Sequence, residues 1–341
     1  MEFSFIEYSD QQRKEFINSE HLYQLFSNKQ LAYNKTYRYK MGWQKSKQKE
    51  YLYKTSLDTN KRVSLGSRNS KTEAIHDEFK SSKAKAQIFL KKTKESILKK
   101  EKINKIEQIS RVPNVIIDIF KKINELKLDD KVVVIGTNSL YAYEAKSGVF
   151  IQEQHLATFD IDIMNKKNKK ISFAFKEKIP GKTLKGILLD IDKTFKVSSE
   201  ASYRFINDND VVVELIAPLS PYNIHDKTDK FAGVIGLELK GIVWLENSRL
   251  MKQMVIGENG KFAYITTIHP LEFAVYKNWL SQQVDREPIK RARDQNQSSL
   301  VTLLIKEYLL NIDIQESLKN IKNFPKVIVD DYRKNILNSL I

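Results

Sequence analysis

From Lys71 to about Ile109 the chain has no Pro or Gly, and Ile75, Phe79, Ala86, Phe89, Leu90, Ile97 and Leu98 recur at spacings that suit an amphipathic helix in a Lys-dense segment. Before it, residues 36–67 mix aromatic and β-branched positions around Asp58-Thr59-Asn60, which predicts a short hairpin. Pro113 opens another helix that ends near Leu128, and the unbroken run from Lys131 to Ile135 reads as a buried strand entering Gly136. A helical segment from Asn138 to Lys146 follows. Alternating short patterns then predict strands at Phe159–Met164, Ile171–Phe175, Tyr203–Ile206 and Val211–Ile216, with a helix at Leu184–Ile191. Pro218 and Pro221 close this unit. After a poorly defined stretch, helices are expected over Leu271–Gln283, Pro288–Leu310 and Tyr332–Leu340.

This order predicts an α+β chain in three parts: a hairpin and long helix over 1–110, a mixed-sheet core over 111–235, and a mainly helical end over 236–341. The 341 residues include 41% apolar and 10% aromatic positions, enough for a sizeable core. No apolar run approaches the length of a membrane span, and the opening residues lack the basic then apolar order of a signal peptide, so a cytoplasmic protein without a membrane partner is expected. The absence of Cys excludes disulfides, thiolate metal sites and cysteine nucleophiles. The five His show no paired ligand spacing, so carboxylates must hold any metal.

The formal charge of +16 favours a polyanionic partner, and residues 1–110 hold 24 Lys and Arg against 13 acids. A solubilising Lys-rich surface accounts for the same imbalance. On the polyanion reading, Lys91, Lys92, Lys99 and Lys100 are candidate phosphate contacts for RNA.

Three local patterns carry candidate chemistry. A strand, then Gly136-Thr137, then a helix start offers backbone N–H groups to a phosphate, although one Gly at such a junction also serves simple turn geometry. On a strand, Asp160 and Asp162 share a face while Ile161 and Ile163 take the other. Two adjacent carboxylates repel unless solvated or bridged by a cation, and Mg²⁺ accepts such oxygen ligands. Glu214 interrupts the apolar run Val211–Ile216, where it needs a partner, a metal or water.

Taken in order, these pieces resemble the DNA polymerase β-like nucleotidyltransferase superfamily. The nearer resemblance is to a bacterial nucleotidyltransferase-like family with a Gly-Thr-Asn-Ala-Leu-type turn, a Tyr-Glu dipeptide and a Thr-x-Asp-x-Asp strand. Here these stand as Gly136-Thr137-Asn138-Ser139-Leu140, Tyr143-Glu144 and Thr158-Phe159-Asp160-Ile161-Asp162. Gly42, Tyr51-Leu52-Tyr53 and Leu65-Gly66 are similar to an N-terminal hairpin of that family. The segments from His269 to Lys277 and from Arg286 to Asp294 are similar to its Lys-bearing and Arg-x-x-x-Lys-x-x-x-Asp helices, and to those of abortive-infection-type nucleotidyltransferase toxins. Two departures stand out. Twenty-two residues separate Thr137 from Asp160, and the third acid is Glu rather than the commoner Asp.

The resemblance implies transfer of a nucleoside monophosphate from an NTP to an acceptor hydroxyl. Asp160, Asp162 and Glu214 would be the catalytic carboxylates and would hold Mg²⁺, with Mn²⁺ as a substitute. Gly136, Thr137, Asn138 and Ser139 would meet the nucleotide. Lys277 and Lys290 would contact the triphosphate, Arg286 would lie on the same helix face, and Asp294 would fix a basic neighbour. RNA or tRNA is the expected acceptor. The rival readings are a retired fold that binds nucleic acid, and a toxin-like enzyme, paired with an antitoxin, that modifies a protein or small molecule.

Overall fold

The computed structural model describes residues 3–109, 111–129, 132–156, 169–175, 184–199, 201, 204–216, 228–229, 234–235 and 241–340. The chain forms two compact units, one of residues 14–106 and one of residues 1–13 with 107–341. The predicted strand Phe159–Met164 lies outside the described residues, and so do Asp160, Asp162, Pro218 and Pro221.

The chain opens with β1 (Phe5–Glu7) and a 27-residue helix, α1 (Asp10–Thr36). Its start is a reciprocal cap: Gln12 N donates to Ser9 Oγ at 3.2 Å, and Ser9 N donates to Gln12 Oε1 at 3.0 Å. The segment expected as one hairpin is a meander of β2 (Tyr39–Ser46), β3 (Lys49–Ser56) and β4 (Arg62–Ser67), all antiparallel. Asp58-Thr59-Asn60 turns the chain between β3 and β4, and Lys47 at positive φ turns it between β2 and β3. Then α2 (Ser70–Ile106) runs back along α1. Ser19 Oγ donates to Asn104 Oδ1 at 3.0 Å, Lys100 pairs with Glu15, and Gln87 Nε2 donates to the Tyr33 hydroxyl at 3.0 Å. This seam buries Ser19, Thr93, Glu101 and Asn104 beside Phe16, Tyr23 and Ile97. A half-polar seam explains why apolar periodicity alone shows little of α1.

The second unit continues with α3 (Asn114–Glu125), β5 (Val132–Ile135), a single 3-10 turn over Thr137–Ser139, α4 (Leu140–Ser147), β6 (Val149–Ile151) and α5 (Glu153–Leu156). Next come β7 (Lys169–Phe175), α6 (Leu184–Ile191), β8 (Lys196–Val197), β9 (Arg204–Ile206) and β10 (Val211–Ile216). The short pair β11 (Thr228–Asp229) and β12 (Val234–Ile235) precedes α7 (Ile242–Glu246), β13 (Leu250–Ile256) and β14 (Phe262–Ile268). The end is helical: α8 (Pro270–Ser281), α9 (Pro288–Tyr308), α10 (Ile314–Asn320), α11 (Lys326–Tyr332), a π-helical stretch over Arg333–Leu337, and α12 (Asn338–Leu340).

Among the described residues seven strands form the main sheet in the order β13-β14-β5-β7-β10-β9-β8, so the chain is a mixed α+β fold. The Val-Val-Val-Ile run of β5 is buried along its whole length because both sheet faces are covered. Val132 and Val134 pack with Ile116, Ile117 and Phe120 of α3 and Leu184 and Ile187 of α6. Val133 and Ile135 pack on the other face with Phe273 of α8 and Leu300, Val301 and Leu304 of α9. Each fully buried Val, Ile, Leu or Phe contributes roughly 1.5–3 kcal/mol of transfer free energy.

The mainly helical end expected over 236–341 also supplies a hairpin to this sheet. β13 and β14 pair through seven residues each, and β14 runs parallel to β5. Asn259-Gly260, with Gly260 at φ 79°, closes that hairpin and is its clearest local cue.

Candidate active site

Gly136 leaves β5 with φ 75° and ψ −158°, a conformation in which a side chain would be strained even though nothing crowds its α-carbon. The chain can therefore drop straight from the strand into the turn Thr137–Ser139 and then α4. Buried hydroxyls hold this junction in place. Thr267 Oγ1 on β14 lies 2.7 Å from Ser139 Oγ and 2.9 Å from the Val134 carbonyl, to which Ser139 Oγ also donates at 3.3 Å. Ser139 is thus committed to the scaffold, with Asn138 buried beside it.

The Tyr-Glu dipeptide is a tether on the same helix. Tyr143 donates its hydroxyl to the Ile268 carbonyl at 2.9 Å, and Glu144 accepts from Ile151 N at 2.9 Å and from the Arg111 guanidinium. Burial pushes the Glu144 carboxyl above its ordinary range, against the pull of Arg111. These residues join α4 to both neighbouring strands.

Glu214 sits in the middle of β10. It is opposite Ser172 of β7, and Ser172 is opposite Ile135 of β5, so Glu214 and the residue that enters the Gly136 turn lie on one cross-strand row and one sheet face. That face is the one on which α8 and α9 build their core around Val133 and Ile135. Val213 points the other way and is buried with α3 and α6. Glu214 is only 3% exposed, and Arg204, its cross-strand neighbour on β9, reaches Oε1 through Nε at 3.1 Å and Nη2 at 3.0 Å. Arg204 went unnoticed in the sequence because only strand register reveals it.

Helix α9 brings a second group to the turn. Gln297 Nε2 donates to Thr137 Oγ1 at 3.0 Å and to the His155 carbonyl at 3.3 Å. Gln297 Oε1 is buried with no hydrogen-bond partner among the described residues, and so is Asn278 Nδ2 on α8. Such unmet polar atoms are costly in a folded protein and suit a site that a ligand completes. Gln297 was legible only as the residue three places after Asp294, on the same helical face.

Asp294 itself is fully buried and holds two cations, Lys277 Nζ at 2.7 Å and the Arg286 guanidinium. Burial alone would raise the Asp294 carboxyl, but Lys277 and Arg286 together hold it below its ordinary value. Burial pulls the Lys277 ammonium down, with Asp294 acting against it. The cluster keeps one surplus positive charge, one helical turn from the Gln297 that grips Thr137. Arg286 does not share a helix face with Lys290, contrary to the expected spacing. Pro288 occupies the first turn of α9, so Arg286 reaches Asp294 from the preceding loop. Lys290 pairs with Glu287 at 3.0 Å near the surface.

Among the basic candidates on α2, Lys91, Lys92 and Lys99 are exposed. Lys100 is not available in the same way, because its side chain is largely buried in the ion pair with Glu15. Among the described residues no three His, Asp or Glu side chains gather as a metal site, and no helix is long and apolar enough to cross a membrane.

No curated protein and no solved structure matches the chain. A family model described as nucleotidyltransferase matches residues 114–322, a span that runs from α3 through α10 and takes in the Gly136 turn, Glu214 and the Asp294 cluster. With more than half of its length matched, the chain belongs to that nucleotidyltransferase family.

Proposed function

We propose that the protein transfers a nucleoside monophosphate from an NTP to an acceptor hydroxyl on RNA, with pyrophosphate as the leaving group. The observation that carries this reading is the convergence on one sheet face of Glu214, the Gly136-Thr137 turn and the cations gathered by Asp294. Asp160 and Asp162 precede β7, the strand between β5 and β10, and their sequence spacing would set both carboxylates on one face.

In this reading Asp160, Asp162 and Glu214 hold Mg²⁺, or Mn²⁺ in its place. A buried carboxylate on the row beside the turn fits a hard cation. When bound, the metal neutralises phosphate charge and lowers the pKa of a coordinated hydroxyl. Backbone N–H groups at Gly136, Thr137 and the start of α4 receive the phosphates. Lys277 and Arg286, held by Asp294, offset charge on the departing pyrophosphate. Lys290 is free to exchange Glu287 for a phosphate because its present pair is exposed and weak. Gln297 fixes the Thr137 hydroxyl and offers Oε1 to a donor on the nucleotide.

The test is incubation of the full chain with Mg²⁺, each labelled NTP and total RNA, with pyrophosphate release and label transfer as readouts. Label should enter RNA, and Asp160→Asn and Asp162→Asn should each abolish it with the fold intact. Full Mg²⁺-dependent transfer by both variants would remove these carboxylates from the chemistry. Label entering protein or small molecules instead would reassign the acceptor.

A further inference from the structure

The smaller unit supplies none of the residues assigned to the transfer reaction, yet residues 14–106 hold 23 Lys and Arg against 9 acids, nearly all of the chain's net charge. Within it, the segment from Arg38 to Arg68 carries nine Lys or Arg against two acids. This segment is the three-stranded sheet.

The two faces of that sheet are built differently. Leu52, Trp43 and Tyr39 share the face turned to α2: Leu52 is fully buried, Trp43 meets the His76 ring edge-on at 5.6 Å, and Tyr39 stacks on Phe79 at 5.1 Å. Cations cap the rings on this side, with Lys54 Nζ 3.8 Å from the Tyr39 centroid and Arg68 5.2 Å from that of Trp43. Alternation puts Tyr51 and Tyr53 on the opposite face. Both are half-buried, and neither ring nor hydroxyl has a partner among the described residues.

Their surroundings keep these rings accessible. Gly42 lies directly opposite Tyr53, and a side chain added there would meet nothing within 4 Å. Lys40 and Gln44 flank Gly42 on the same face, and from β4 Arg62 crosses the central strand to donate to Gln44 Oε1 at 3.1 Å. A pleated surface with two unpartnered aromatic rings, an open glycine notch and exposed cations at its edges has the chemistry of a base-stacking platform. Bases offer π-faces to the rings, and phosphates offer charge to Lys40 and Arg62.

We propose that the outer face of the β2-β3-β4 sheet binds single-stranded RNA, with successive bases stacked on Tyr51 and Tyr53. The proposal rests on RNA as the partner named above, and it places the base-stacking part of binding on this sheet rather than on the lysines of α2. The exposed Lys91, Lys92 and Lys99 then add only sequence-independent phosphate contacts.

The experiment is fluorescence anisotropy of a labelled 20-mer oligouridine with the full chain, without NTP or Mg²⁺, at several salt concentrations. Circular dichroism checks that each variant is folded. The double variant Tyr51→Leu/Tyr53→Leu should weaken single-strand binding by roughly 5-fold to 100-fold for each stacked base lost, with the salt slope unchanged because no cation is removed. Tyr51→Phe/Tyr53→Phe should stay near wild type, because the rings remain. Lys40→Gln/Arg62→Gln should flatten the salt slope. A folded leucine double variant that binds like wild type overturns the proposal. So does equal wild-type affinity for inorganic polyphosphate, which would reduce the surface to plain charge attraction, and so does a wild-type chain that binds no oligonucleotide. A chain that binds RNA through these rings yet transfers no nucleotide refutes the reaction and leaves the surface standing. One that transfers nucleotides to RNA but ignores the rings refutes the surface alone.

Discussion

Glu214→Gln separates chemistry from scaffolding most sharply. Removing the charge keeps the shape of the side chain but takes a carboxylate from Arg204, which now donates to Oε1 through Nε at 3.1 Å and Nη2 at 3.0 Å. At 3 Å and an effective dielectric near 20, the gross attraction is about 5 kcal/mol, and desolvation of the 3%-exposed carboxylate cancels much of it. A net loss of about 1.5–3 kcal/mol in unfolding free energy is expected, the ordinary worth of hydrogen bonds to a charged group. Arg204→Gln should cost more, about 3–5 kcal/mol, because it takes the cation from the buried Glu214 carboxylate, whereas Arg204 is partly exposed. The two variants should part in activity. If Glu214 serves the reaction, Glu214→Gln should slow label transfer on the order of 10²-fold or more, while Arg204→Gln retains most of it. Glu214→Asp should fall between wild type and Gln. Stability is read by urea titration, and transfer is measured where all variants are folded. Equal retention of transfer by Glu214→Gln and Arg204→Gln would show that the pair is only a strut. The third acid would then be sought in the Asp208–Asp210 turn that precedes β10, by Asn substitution at each position.

Other perturbations test the frame around the site. Asp294→Asn strands Lys277 and Arg286 against each other in a buried place and should cost about 3–5 kcal/mol, whereas the double change Lys277→Met/Asp294→Leu should cost clearly less; additive losses in denaturant titration would deny the coupling. His269 is held neutral, with its pKa lowered to about 4 by burial and the neighbouring Arg249 against a weaker opposing pull from Glu272. The unfolded chain binds that proton near pH 6.5 and the folded chain does not. Stability should therefore be whole above pH 6.5 and fall as the pH drops towards 4, and His269→Asn should flatten that part of the profile; an unchanged profile would acquit His269.

The sequence alone determined the elements whose pattern is local. The apolar run of β5, the limits of α6 and β10, and the helices that Pro270 and Pro288 open are all visible as period or punctuation, because burial of one face and the loss of a proline N–H act within a few residues. The order Gly136-Thr137, Tyr143-Glu144, Glu214 and Lys277 was equally plain, and the family match over 114–322 agrees with a nucleotidyltransferase reading of it. Tertiary structure decided which side chains meet. Pairing register set Glu214 on the row of Ile135 and gave it Arg204, since a one-residue slip would have turned it to the α3 and α6 core. Helix packing decided that Lys277 shares Asp294 with a loop-borne Arg286, that Gln297 grips Thr137, and that Lys100 closes a buried pair instead of facing solvent. These contacts join residues as far as 160 positions apart, and no local periodicity encodes them. The polar seam of α1 and α2 stayed hidden for the same reason: Ser19 and Asn104 read as surface residues until each becomes the other's partner.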